Sequence, residues 1–159
     1  MKKLLTIALA LVLVLSVATA SAVTLKLSEV HIDGYPTTLA DREFARLVEE
    51  RTEGRIKIDV YANGALYGEE TGAIEAMQMG DIAFARVSAS PVSSYVPAMN
   101  AIQMPYIYKS ADHMWAVLDG EIGQNMLKEV EASGSGLVGL CWYDSGSRNF
   151  YTKTLVEKP

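Results

Sequence analysis

Four residues carry the chemistry this sequence offers: His31, Arg86, Ser88 and Arg148. An arginine presents a planar fork of N–H donors that grips a carboxylate bidentately. A histidine and a serine bond hydroxyl or carboxyl oxygens of the kind found on sugars and hydroxy acids. Together the four suit a small organic anion. Arg86 also has a plainer reading. It is the one polar residue in the apolar run Ile82–Val87, where a guanidinium needs either a carboxylate partner or an anionic ligand, and the sequence leaves the two readings equal.

Other chemistry is poorly supported. There is no Gly-x-Ser-x-Gly elbow, phosphate loop, His-Glu-x-x-His or Cys-x-x-Cys motif. His31 with Asp33 makes too thin a set for a metal ion, so neither a metal nor a cofactor is expected. Glu69 and Glu70 are neighbours and cannot share one helix face, which argues against a carboxylate pair for acid–base work. His113 is read as structural. Cys141, the only cysteine, excludes an internal disulfide and reads as a small buried hydrophobe rather than a nucleophile. No enzyme is expected.

The elements that must position these residues alternate between strand and helix. Val23–Leu27 alternates apolar and polar residues, the period of a strand with one dry face. Thr38 with Asp41 resembles a capping box, Ala40, Phe44, Leu47, Val48 and Arg51 recur at helical spacing, and Gly54 supplies a stop. Ile56, Ile58 and Val60 alternate with Lys57 and Asp59 in a second strand. Two strands joined by one crossover helix run parallel, and a parallel sheet gathers its ligand-facing loops at the carboxyl ends. The loop after strand one, Glu29–Tyr35, holds His31.

Further along, Glu69 and Glu70 open a short helix through Ala73, Ile74 and Met77 that stops at Gly80, its methionines read as core filler. Ile82–Val87 reads as a strand covered on both faces. Asn100–Tyr108 is the candidate for an edge strand, confined there by Pro105. Ser110 caps a helix through Leu118, and a second carries Ile122, Met126, Leu127 and Val130. Leu137–Trp142 and Arg148–Thr152 are expected as the last two strands. The class is α/β, with a mostly parallel sheet flanked by helices.

Lys2 and Lys3, the uncharged run Leu4–Val17 and the small-x-small sites ending at Ala20 and Ala22 mark residues 1–22 as a cleavable secretory signal peptide. The run is short for a membrane anchor. A net charge of −5 on an exported chain argues against nucleic acid as a partner.

An ordered series of short segments then resembles a known family. It comprises Phe44-Ala45, Gly54-Arg55-Ile56-Lys57-Ile58, Gly80-Asp81-Ile82-Ala83-Phe84-Ala85-Arg86, Met104-Pro105-Tyr106, His113-Met114-Trp115, Leu118-Asp119-Gly120 and Gly146-Ser147-Arg148. The series is similar to the DctP-type solute-binding subunits of TRAP transporters. The resemblance implies a periplasmic receptor whose two α/β lobes close on an organic acid and deliver it to integral-membrane TRAP subunits. It implies that residues 23–144 form the N-terminal lobe and that 145–159 cross into a second lobe. Family members are roughly twice this length, so a first lobe and the beginning of the second are expected. His31, Ser88 and its neighbour Arg86 would contact the ligand, and Arg148 would pair with its carboxylate. An inter-lobe salt bridge is the other role open to Arg148. Two further readings stand beside the receptor: an exported hydrolase or lyase with His31 as general base, and an adaptor lobe without a small-molecule site.

Overall fold

Leu25 and Leu27 turn to one side of β1 (Val23–Ser28) while Thr24 and Lys26 turn to the other, as the alternation demands. A computed structural model describes residues 22–147 and 151–154. The expected leader up to residue 21, Arg148 with Asn149 and Phe150, and residues 155–159 lie outside the described residues. The described chain divides into two compact units, one ending at Pro91 and one beginning at Val92.

In the first unit, β1 is followed by α1 (Pro36–Arg51), β2 (Ile56–Tyr61), α2 (Glu70–Met79), β3 (Phe84–Ala85) and the short turn α3 (Ala89–Val92), whose last residue opens the second unit. The three strands form a sheet in the order β2-β1-β3. Both pairings are parallel, with Val23 opposite Ile56, Ser28 opposite Tyr61, and Leu27 opposite Phe84. The parallel sheet expected from the sequence is therefore present.

One core lies between α1 and the sheet. Leu27, Ala45 and Ile58 are buried there, with Phe44, Val48, Val60 and Phe84 packed around them. Phe44 meets Phe84 edge to face with ring centroids 5.5 Å apart. Burying a leucine or isoleucine side chain is worth about 1.5–3 kcal/mol, so Leu27 and Ile58 are main fastenings of α1 to the sheet. A second cluster joins Ala73 and Ala76 of α2 to Ile82, with Ala85 against it. Successive residues Phe84 and Ala85 thus serve different clusters, as a strand covered on both faces requires.

Helix α1 begins earlier than the Thr38–Asp41 pattern implied. Pro36, whose ring fixes a helical φ, occupies the first helical turn, and no side chain caps the start. Thr37 and Thr38 are drawn inside the helix and buried, and Thr38 Oγ1 donates to the Ile32 carbonyl at 3.0 Å. The buried stripe therefore runs through Thr37, Thr38, Asp41 and Ala45, while Ala40 is exposed. At the other end, Gly54 N donates to the Glu49 carbonyl at 2.8 Å with φ +75°, a glycine-favoured closure.

Expected strand three shrinks to Phe84–Ala85, although Ala83 N and Arg86 N still donate to the carbonyls of Lys26 and Ser28. The ladder ends there because β1 itself ends at Ser28.

In the second unit, the edge strand expected at Asn100–Tyr108 does not form: its first residues belong to a 3-10 helix, Pro97–Gln103, and the rest is not in a strand. Pro97, like Pro36, opens a helical turn. Ser110 does cap α4 (Ala111–Leu118), accepting from His113 N at 3.1 Å. His113 Nδ1 accepts from Lys109 N at 3.2 Å, a local structural contact. Helix α5 (Glu121–Ala132) buries Met126, Leu127 and Val130.

Leu137–Trp142 is not a strand. The segment keeps its alternation, with Val138 and Leu140 exposed, but among the described residues it has no ladder partner, and a strand needs one. It lies along α5 instead: Trp142 Nε1 donates to the Gly123 carbonyl at 3.2 Å, and a Cβ at Gly139 would sit 3.0 Å from Leu127 Cα. Cys141 is consequently exposed, not buried. Tyr151 and Thr152, the described part of the last expected strand, are not in a strand either.

Gly123 is the tight point of this unit, since an added Cβ would overlap the Leu118 backbone. Gly123→Ala is expected to destabilise the protein by about 1–3 kcal/mol in denaturant unfolding, the range for overpacking. An unchanged midpoint would show that α5 can shift away from Leu118 freely.

Candidate functional site

The carboxyl ends of β1 and β3 bring His31, Arg86 and Ser88 into one cluster, organised by a residue that the sequence did not single out. Glu29 follows the last residue of β1 and is fully buried. Its backbone is locked on both sides: Glu29 N donates to the Tyr61 carbonyl at 2.9 Å, and Gly64 N donates to the Glu29 carbonyl at 3.0 Å. Asn63 N likewise donates to the His31 carbonyl at 2.6 Å, so the turn after β2 clasps the loop after β1.

The Glu29 carboxylate collects four donors. Arg86 reaches it bidentately, Nε to Oε2 at 2.9 Å and Nη2 to Oε1 at 2.7 Å. Thr37 Oγ1 donates to Oε2 at 2.8 Å, and His31 N donates to Oε1 at 2.9 Å. Burial of the carboxylate pushes its pKa up. The hydrogen bonds from Arg86, His31 N and Thr37, with the Arg86 charge, outweigh that and bring it from 4.5 to about 2. For Arg86, burial works against the charged form, but Glu29, then Glu70 and Asp41, more than compensate and raise its pKa.

The cluster extends to α2. Arg86 Nη1 donates to Glu70 Oε1 at 3.0 Å, and Ser88 Oγ donates to the same oxygen at 3.0 Å. Glu70 thus keeps its other oxygen uncommitted among the described residues. It also lines an open cleft of about 460 Å³ with Val30, Gly68, Thr71, Ser90 and Pro91. His31 stacks on Tyr35 with centroids 4.3 Å apart, and its side chain is 31% exposed. Among the described residues no group of three or more His, Cys, Asp and Glu side chains is arranged to hold a metal ion.

This arrangement can accept and donate hydrogen bonds to a small polar molecule at the strand ends. Of Arg86's two readings, its fork is occupied by a carboxylate of the protein, and only 8% of the side chain is exposed. Arg148 lies outside the described residues.

Residues 27–159 match the model of the DctP family, described as bacterial extracellular solute-binding protein, family 7. The chain belongs to this family. A solute-binding protein of Chromohalobacter salexigens is 38% identical over 131 residues, covering 82% of this chain and 38% of that protein. The C4-dicarboxylate-binding periplasmic protein DctP of Rhodobacter capsulatus is 30% identical over 138 residues, covering 86% and 40%. Among solved structures, a TRAP periplasmic solute-binding protein of Pseudomonas putida F1 with bound D-glucuronate superposes with a TM-score of 0.79 at 38% identity. It covers 86% of this chain and 44% of that one. The chain therefore spans roughly two-fifths of the length of these relatives.

Within this family 7 chain, Glu29 and Glu70 are the functional candidates missed by sequence reasoning. Glu29 sits one residue beyond an alternating strand, where a charge normally reads as solvated. The signal that would have found it is the lone arginine at the tip of another apolar strand, which demands a buried carboxylate nearby. Finding the pair required the strand order, because only the adjacency of β1 and β3 brings residues 29 and 86 together.

Proposed function

We propose that this chain supplies a ligand-contacting lobe of a periplasmic receptor for a sugar acid, which the receptor captures and delivers to integral-membrane TRAP subunits. The observation that carries the reading is the convergence of His31, Ser88 and Glu70 at the carboxyl ends of a parallel sheet, beside an open cleft. Family membership and the D-glucuronate in the Pseudomonas putida structure support the same reading.

Charge favours a sugar acid over a C4-dicarboxylate here. Glu29, Glu70 and Asp41 surround one arginine, so this side of the site is net negative and repels a second carboxylate. Ligand hydroxyls can donate to the uncommitted oxygen of Glu70. Arg148 pairs with the single carboxylate, and export follows from the leader at residues 1–22.

Isothermal titration of the full-length protein tests this. D-glucuronate or D-galacturonate is expected to bind at least tenfold more tightly than succinate and to be recovered chemically unchanged. Arg148→Ala is expected to weaken sugar-acid binding at least tenfold, and unchanged affinity would remove Arg148 from the site. Turnover of the ligand would favour a hydrolase or lyase with His31 as base. Preference for succinate would move the specificity to dicarboxylates.

A further inference from the structure

Nδ1 of His31 meets three polar atoms of the cluster. It lies 2.6 Å from Arg86 Nη2, 3.1 Å from Thr37 Oγ1 and 3.1 Å from Glu29 Oε1. A guanidinium stays protonated at any working pH and has no acceptor to offer. One hydrogen of Nη2 serves Glu29 Oε1 at 2.7 Å, which leaves the other for Nδ1. The Thr37 hydroxyl hydrogen is committed to Glu29 Oε2 at 2.8 Å. A proton on Nδ1 would therefore oppose the Arg86 donor directly. The ring plane is fixed by the stack on Tyr35, and Nε2 has no protein hydrogen-bond partner among the described residues.

We propose that Glu29 and Arg86 are a positioning pair: Glu29 turns the guanidinium so that it donates to His31 Nδ1, which holds the imidazole as its Nε2–H tautomer. His31 then offers a ligand a hydrogen-bond donor and no free base. Its one lone pair faces inward and is occupied, so a substrate proton has nowhere to go on this ring. The ligand-facing part of the proposal rests on the receptor reading above; the tautomer does not.

The side of the lobe is then chemically mixed. His31 Nε2–H donates, while Glu70 and the Ser88 oxygen accept. A hydroxyl group accepts from His31 and donates its one hydrogen to Glu70 or Ser88, so neighbouring hydroxyls satisfy the whole set; a carboxylate, which only accepts, satisfies His31 alone.

The test is two-bond nitrogen–proton NMR of the nitrogen-15-labelled chain, with His31 distinguished from His113 by the His113→Gln variant. At neutral pH, His31 is expected to show one protonated nitrogen, Nε2, and a hydrogen-bonded, unprotonated Nδ1. A protonated Nδ1, or an imidazolium, overturns the proposal. In the charge-neutral double variant Glu29→Gln/Arg86→Gln, the Nδ1 resonance is expected to move as the ring samples both tautomers, and Arg86→Lys, which keeps a cationic donor, is expected to restore part of the wild-type position. A spectrum unchanged in the double variant also overturns it, because a pair with a merely structural role would leave the ring as it was. Should that double variant fail to fold, Arg86→Lys alone serves in its place: an unmoved Nδ1 resonance there, or a protonated Nδ1 in the wild type, overturns the proposal. The readout needs no ligand: absent D-glucuronate binding with the expected spectrum removes the receptor reading and leaves the positioning pair standing.

Discussion

Glu29→Leu is expected to cost about 3 kcal/mol of folding stability, although it places an apolar side chain in a buried position. Removing one partner of a buried ion pair strands the other charge and typically costs 3–5 kcal/mol. Arg86 retains Glu70 at 3.0 Å, which puts the expected loss at the lower end. The double variant Glu29→Leu/Arg86→Leu should recover much of the loss, since replacing a whole buried pair by apolar groups is often neutral. Arg46, which pairs with Glu43 and Glu50 on the exposed face of α1, is the internal comparison. Arg46→Ala should leave stability close to that of the wild type, as exposed pairs do. Denaturant unfolding of the three variants measures all of this. A Glu29→Leu loss no larger than that of Arg46→Ala would show that the buried pair contributes nothing special.

Acid should destabilise the fold through the same carboxylate. Glu29 has a pKa lowered from 4.5 to about 2, so it binds a proton more readily in the unfolded chain than in the folded one. Such a group contributes its full stability above the unfolded value and loses it as the pH falls through the folded value. The window therefore runs from about pH 4.5 down to about pH 2, and the contribution lost across it is on the order of 3 kcal/mol at most. Asp33 and Glu43 are shifted in the same direction by Arg42 and Arg46, but both are exposed. Thermal melts across this range should show wild-type stability falling steeply, and Glu29→Gln, which has no carboxylate to protonate, should show a distinctly shallower fall. Parallel curves for the two proteins would assign acid lability to other groups.

The parts of the fold that were legible in the sequence are those set by local chemistry. The alternation in Val23–Leu27 and Ile56–Val60 and the stop at Gly54 gave two parallel strands about a crossover helix. Ser110 as a cap gave α4. What was not legible depends on long-range neighbours. Leu137–Trp142 has the pattern of a strand and lies along α5 without forming one, because a ladder requires a partner that local pattern cannot supply. The Thr38–Asp41 pattern has the spacing of a cap, yet Pro36 starts the helix earlier and turns both residues inward.

The candidate site shows the same division. His31, Arg86 and Ser88 stand out in the sequence by residue type and by their place near strand ends, and the structure brings them within one hydrogen-bonded cluster. Their organiser was hidden, because Glu29 acquires its importance from Arg86, which lies 57 residues away in the chain. Once the two carboxylates are counted, Arg86 changes character: its fork serves the protein, and the lobe's exposed chemistry passes to His31, Ser88 and Glu70.

The most direct test of the receptor account is a crystal structure of the full-length protein grown with D-glucuronate. The account predicts a sugar acid at the carboxyl ends of β1 and β3, with its oxygens within hydrogen-bond distance of His31 Nε2 and of Glu70 or Ser88, and its carboxylate on Arg148. A sugar acid seated away from those strand ends, with none of these four residues in contact, would contradict it.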